Sequence, residues 1–187
     1  MVLNWLEEHI EVAERLKDLI EEIGEGGNLM AQTILQGGKI LLFGNGGSAS
    51  DAQHIAAELV GRYKRERPGL PAVALTTDTS ILTAVGNDYA FKEIFARQVE
   101  GLGRKGDLII ALSTSGNSPN VIAGVEKGLE IGLKVVTLTG KGGGKLGKMG
   151  DINIIVPSQN TPRIQEMHIL IGHMMCEIVD QRVTDGF

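Results

Sequence analysis

Two kinds of apolar pattern follow one another along this chain. From Asn4 to Ile23 the apolar residues recur at helical spacing, with Asn4 as the expected N-cap and Gly24 as the expected stop. A second helix is expected over about 28–35. Beyond this point the apolar residues form short runs without alternation, which is typical of parallel strands buried on both faces. These runs lie at 39–43, 72–75, 107–112, 134–138 and 152–156.

Loops and helices separate these runs. Helical stretches are predicted at about 50–62, 119–131 and 162–183. Strand, loop and helix repeated in this way predict an α/β three-layer sandwich, with a central five-stranded parallel sheet flanked by helices. No linker, charge block or low-complexity tract interrupts the pattern. We therefore expect one domain over residues 1–187, with an N-terminal helical extension over about 1–36.

Two loops rich in small polar residues follow predicted strands. The loop at 113–118 has the sequence STSGNS and offers four hydroxyls just before a helix, where backbone N–H groups and the helix dipole favour an anion. An ordinary turn with a serine N-cap is the alternative, but a cap needs only one such residue. The loop at 44–48, GNGGS, is weaker evidence, because glycine serves many tight turns.

Candidate catalytic and metal-binding residues follow the loop at 44–48. His54 and Glu58 are four residues apart and share a helix face, where imidazole and carboxylate suit zinc, proton transfer or both. A solvated polar pair is an equal alternative. Gln165 and His173 lie on the last predicted helix about 12 Å apart in rise, so a shared ligand would have to lie between long side chains. His168 reads as an ordinary helix residue.

Composition narrows the function classes. The net charge of −5 argues against a nucleic-acid surface, although local N–H groups can still bind phosphate. No apolar run is long enough to span a membrane, and the acidic, amphipathic start does not resemble a secretory signal. The one cysteine, Cys176, fits a reducing cytoplasm. Neither polar loop has the spacing of a nucleotide-binding loop.

The two polar loops together resemble those of the sugar isomerase (SIS) domain family. Further ordered motifs make the chain similar to the phosphoheptose isomerases of that family over nearly its whole length; they are DAQH at 51–54, ELVGRY at 58–63, RPG at 67–69, VGND at 85–88, TLTG at 137–140 and RIQE at 163–166. The resemblance implies conversion of sedoheptulose 7-phosphate to D-glycero-D-manno-heptose 7-phosphate, the first step towards ADP-heptose for lipopolysaccharide. It also implies a homotetramer with zinc.

The resemblance also implies which residues of this sequence form the site. It implies a proton shuttle at Glu58 and an acid at His173, with zinc bound by His54, Glu58, Gln165 and His173. A zinc-bound carboxylate is a weaker base, so the two roles of Glu58 compete. The implied sugar and phosphate contacts are Asn45, Gly46, Gly47, Glu58, Asn87, Asp88, Ser113, Thr114, Ser115, Ser118 and Gln165.

A non-catalytic reading remains the main alternative. Similar SIS tetramers bind the replication initiator DnaA and lack the catalytic pair. A sugar-phosphate sensor without turnover would keep the serine-rich loop and lose Glu58 or His173. Both residues are present here, which favours the isomerase. The sequence leaves open which metal is bound, which product anomer forms and which subunit supplies each residue.

Overall fold

A five-stranded parallel sheet forms the centre of the fold in the computed structural model, which describes residues 1–184. The strands are ordered β2-β1-β3-β4-β5. This confirms the expected α/β fold with a parallel sheet flanked by helices. The strands are β1 (Ile40–Phe43), β2 (Ala72–Ala74), β3 (Leu108–Ser113), β4 (Lys134–Thr139) and β5 (Ile152–Ile155).

Helices cover both faces of this sheet. Alternate residues of β1 point to opposite sides: Ile40 and Leu42 join one buried apolar cluster, and Leu41 and Phe43 join another. Burial on both faces explains why the strands read as uninterrupted apolar runs. The helices are α1 (Val2–Arg15), α2 (Ile20–Leu35), α3 (Gly47–Val60), α4 (Thr79–Asp88), α5 (Ile94–Leu102), α6 (Pro119–Glu130) and α7 (Thr161–Thr184).

The N-terminal helices differ from the expectation. The predicted stop at Gly24 is wrong, because α2 runs through it, and α1 begins at Val2 rather than after a cap at Asn4. Tertiary packing explains Gly26 and Gly27 of α2, whereas a Cβ added at Gly24 would meet no atom within 4 Å, so Gly24 is simply tolerated inside the helix. A Cβ added at Gly27 would lie 2.7 Å from the Ile178 side chain of α7, so this position lets the two helices approach closely.

The strand order places a crevice between two loops. The chain leaves β1 towards one edge of the sheet and later leaves β3 towards the other edge. In open α/β sheets, ligands bind at such a reversal, beyond the carboxyl ends of the strands. The loops that follow β1 and β3 are the two polar loops of the sequence. Within residues 1–184, no helix is both long and apolar enough to cross a membrane.

Candidate active site

The loop at 44–48, here called the glycine loop, joins β1 to α3. Gly46 has a φ of 56°, a conformation that glycine adopts readily. The Asn45 side chain exchanges two hydrogen bonds of 2.8 Å with Asn120 of α6, which is buried. This pair ties the glycine loop to the next βα unit. Sequence reasoning missed Asn120, because a polar residue in a first helical turn is commonplace.

The loop at 113–118, here called the Ser/Thr loop, joins β3 to α6. The hydroxyls of Ser113 and Ser118 are 2.9 Å apart and hydrogen-bonded. Ser118 is the N-cap residue of α6, yet its side chain makes no capping bond to the helix. The Ser115 hydroxyl accepts the backbone N–H of Asn117 at 3.2 Å. Thr114 and Ser115 are half-buried, so the loop keeps hydroxyls within reach of a ligand at the helix N-terminus.

The neighbouring loop at 140–146, here called the brace loop, fixes the Ser/Thr loop in place. Gly116 has a φ of 66°, and a Cβ there would lie only 1.8 Å from the carbonyl oxygen of Gly143. The backbone N–H of Leu146 donates to the Gly116 carbonyl at 2.9 Å. The Asn117 side-chain oxygen accepts the N–H of Lys145 at 3.0 Å. The shape of the Ser/Thr loop therefore depends on direct backbone contact.

Three of the predicted metal ligands converge between α3 and α7. His54 Nε2 lies 3.1 Å from Glu58 Oε1 and 3.2 Å from His173 Nε2. The candidate ligand atoms of these three residues all lie within 4.8 Å of one another. Ligands about 2.0–2.2 Å from a tetrahedral zinc stand about 3.4 Å apart, so this imidazole–carboxylate cluster fits the ion. The Tyr63 ring stacks on His173, with centroids 5.5 Å apart.

Gln165, the fourth predicted ligand, lies against the glycine loop. A Cβ added at Gly47 would be 2.3 Å from its Nε2 atom, so the amide packs directly on that glycine. About two turns further along both helices, a Cβ added at Gly172 of α7 would lie 2.6 Å from the Ile55 side chain of α3. The helices α3 and α7 therefore run in the same direction. Gln165 lies where the helix pair meets the glycine loop, and His173 lies further along α7, beside His54.

Asn87 and Asp88 end α4, and both are exposed. The Asn87 amide donates to the Asp88 carboxylate at 2.8 Å. Another residue of α4, Leu82, lines a cavity of about 150 Å³ together with the glycine loop. The structure thus places α4 beside the glycine loop, with the two predicted sugar-binding residues at its outer end.

Two titratable groups near these elements have shifted pKa values. Burial raises the pKa of the Asp51 carboxyl to about 6, and His54 partly opposes this. Burial lowers the pKa of His168 to about 4, against the opposing effect of its bond to the Thr139 carbonyl. His168 is fully buried, and its Nε2 bonds that carbonyl at 3.1 Å. It is a neutral packing residue that joins α7 to β4, in keeping with its interpretation as an ordinary helix residue.

Comparison with known proteins gives consistent matches. The SIS domain family matches residues 4–140. A phosphoheptose isomerase of Aliarcobacter butzleri is 51% identical over 184 residues, which are 98% of this chain and 97% of that protein. The phosphoheptose isomerase of Aquifex aeolicus is 54% identical over 165 residues, which are 88% and 86% of the two chains.

Solved structures agree with these sequence matches. Phosphoheptose isomerase GmhA from Neisseria gonorrhoeae superposes with a TM-score of 0.89 at 46% identity, covering 96% of this chain and 97% of that one. A phosphoheptose isomerase from Francisella tularensis gives a TM-score of 0.93 at 40% identity, covering 96% of both chains.

Proposed function

Because this chain belongs to the SIS domain family and, within it, to the phosphoheptose isomerases, we propose that it converts sedoheptulose 7-phosphate to D-glycero-D-manno-heptose 7-phosphate. The convergence of Glu58 and His173 in one cluster is the observation that carries this proposal. The relatives are named as isomerases, which does not favour the alternative of a tetramer that only binds an initiator protein. The product belongs to the route towards ADP-heptose and lipopolysaccharide.

The reaction moves a hydrogen between two carbons. A base removes a proton from C1 of the ketose to give an enediolate, and the proton then returns to C2 to give the aldose. We assign this shuttle to the carboxylate of Glu58. His173 supplies and recovers the proton at the sugar oxygens, so that negative charge does not accumulate there.

The Ser/Thr loop positions the sugar for this transfer. Its hydroxyls and the N-terminus of α6 suit the dianionic phosphate at C7, which fixes the far end of the chain and so aligns C1 with Glu58. The glycine loop and Gln165 lie beside the space between the proposed phosphate site and Glu58. The proposed substrate contacts are Asn45, Gly46, Gly47, Glu58, Asn87, Asp88, Ser113, Thr114, Ser115, Ser118 and Gln165.

The donor set fits zinc. His54, Glu58 and His173 would hold the ion, and Gln165, whose amide packs on Gly47, is the proposed fourth ligand. When bound, the ion would act as a Lewis acid for charge that develops on the sugar oxygens. A side chain bound to zinc through one atom cannot exchange a proton at that atom, so for Glu58 and His173 metal binding and proton transfer would be alternative roles.

A homotetramer is also part of the proposal. Trp5, Leu6 and Ile10 of α1 are each about half exposed, and an apolar cavity of about 680 Å³ lies between the N-terminal helices and His173. Covering both surfaces with further subunits would bury apolar area beside the cluster.

We further propose a single SIS domain with a helical extension, since Val12, Leu16 and Ile23 join the same core as the sheet. A cytoplasmic location is proposed from the single cysteine, Cys176, which is buried and unpaired.

Turnover of sedoheptulose 7-phosphate by the purified protein tests the proposal. Product should form with added zinc, fall after chelation, and be lost in Glu58→Gln and His173→Gln. The control is Glu66→Gln, which removes an equal charge from an exposed ion pair with Arg62. No product under any metal condition, with the sugar phosphate still bound, would reject the isomerase in favour of a binding protein.

A further inference from the structure

A buried ion pair lies beneath the imidazole–carboxylate cluster. Asp180 of α7 and Arg67 are both essentially buried, and the Arg67 Nε donates to the Asp180 carboxylate at 2.7 Å. The carboxylate also accepts the backbone N–H groups of Lys64 and Arg65, at 2.9 and 3.0 Å. Asp180 therefore has a charged donor on Oδ1 and two neutral donors on Oδ2, and a buried carboxylate needs such partners.

One arm of this network reaches Glu58. The Arg67 guanidinium donates to the backbone carbonyls of Leu59 and Glu58, each at 2.9 Å. These carbonyls belong to the last turn of α3, where unpaired oxygens and the negative end of the helix dipole favour a cation. The backbone of Glu58 is thus fixed by a guanidinium that Asp180 itself holds.

The other arm reaches His173. The two N–H groups that Asp180 accepts belong to the residues directly after Tyr63, whose ring stacks on the His173 imidazole at an interplanar angle of 25°. Asp180 is also seven residues after His173, so the two share one face of α7 about two turns apart. The same carboxylate thereby fixes the loop that orients the imidazole.

We infer that Asp180 is a positioning residue for the isomerase reaction, acting on Glu58 through Arg67 and on His173 through the loop that carries Tyr63. The inference rests on the proposed function for its catalytic part. It extends to metal binding, because both partners it orients belong to the cluster with His54. Loss of the outer partners that orient metal ligands typically lowers metal affinity by about 10- to 100-fold.

The test compares Asp180→Asn with the exposed-charge control Glu66→Gln, using the full chain below its melting temperature. In folded Asp180→Asn we expect kcat to fall at least about tenfold and the Kd for zinc alone to rise at least about tenfold, with KM within about threefold. KM should hold because the Ser/Thr loop is braced elsewhere. A purely structural role would lower the melting temperature and leave kcat and zinc affinity within twofold, which would overturn the inference.

A second pair of variants decides the matter if Asp180→Asn does not fold. Tyr63→Leu removes the stacked ring, and Tyr63→Phe keeps it. Loss of zinc affinity and kcat in the first variant only would support the loop arm, whereas wild-type values in both would overturn that arm. Zinc affinity is measured by competition with a coloured chelator and needs no substrate. An inactive wild-type protein would therefore reject the proposed function while the zinc data still decide the role of Asp180.

Discussion

The Ser/Thr loop is held by backbone contacts between two adjacent loops, whereas the imidazole–carboxylate cluster is held by side chains on two helices. Gly116 lies so close to the brace loop that a Cβ there would be 1.8 Å from the Gly143 carbonyl oxygen, and this contact restricts the Ser/Thr loop. His54 is exposed, and its position depends on how α3 and α7 pack. The geometry of the first region suits a fixed anion, and the side chains of the second are of the types that transfer protons or bind metals.

The comparison predicts that substitutions in the two regions change different kinetic constants: kcat for the cluster and KM for the Ser/Thr loop. Glu58→Gln should lower kcat by about 10²–10⁴-fold, because the amide cannot accept the proton, while the Kd for sedoheptulose 7-phosphate stays within about threefold. Steady-state kinetics and calorimetric binding measure the two terms. A large loss of binding without loss of kcat would show that Glu58 belongs with the loop region rather than with the chemistry.

Acid should destabilise the contact between α7 and β4 by charging the buried His168 imidazole, and not by removing its hydrogen bond. His168 joins α7 to the Thr139 carbonyl, just before the brace loop. Its folded pKa of about 4 is below its usual value of 6.5, so the unfolded chain binds the proton first as pH falls. The stability from this group is present above about pH 6.5 and is lost towards pH 4, by about 3 kcal/mol in total.

Urea unfolding of the native chain and of His168→Gln at pH 7 and pH 4.5 measures this effect. The native chain should lose stability between these values, and the part due to His168 should be missing in the variant. The control is His9→Gln, whose side chain is more than one-third exposed. Equal pH dependence in all three proteins would contradict the prediction.

The smallest expected effect is on substrate affinity, from Gly116→Ala. The added Cβ would strike the Gly143 carbonyl and force the Ser/Thr loop away from the brace loop. We expect KM to rise by about 10- to 100-fold with a lesser change in kcat. Gly142→Ala is the matched control, since Gly142 also has a positive φ but no neighbour within 4 Å. A similar KM in both variants would mean that backbone strain, and not the contact, controls the loop.

The sequence pattern predicted the features that depend only on residues close together in the chain. The five strands and the Ser/Thr loop follow from apolar runs and the small polar residues after them. The spacing of His54 and Glu58 indicated a shared face, and the structure places their side chains 3.1 Å apart. Gly24 misled the prediction, because the packing of α2 on α7, at Gly26 and Gly27, keeps the helix continuous through a residue of low helix propensity.

Long-range contacts account for what the sequence alone left open. His173 joins His54 across 119 residues, and only the family resemblance brought them together in advance. Asn120 and Asp180 gave no signal, since their partners Asn45 and Arg67 are defined by helix packing. The position of Gln165 against Gly47 likewise depends on the relative placement of two helices.

The late position of His173 also bears on the order in which the chain acquires its properties during synthesis. Both polar loops, and the brace loop beside them, precede α7 in the chain, but Ile164, Met167 and Ile171 of α7 belong to the same core as the strands that carry these loops. Proton transfer and metal binding have to wait for that helix to dock. The last segment to be synthesised therefore completes both the core and the candidate site.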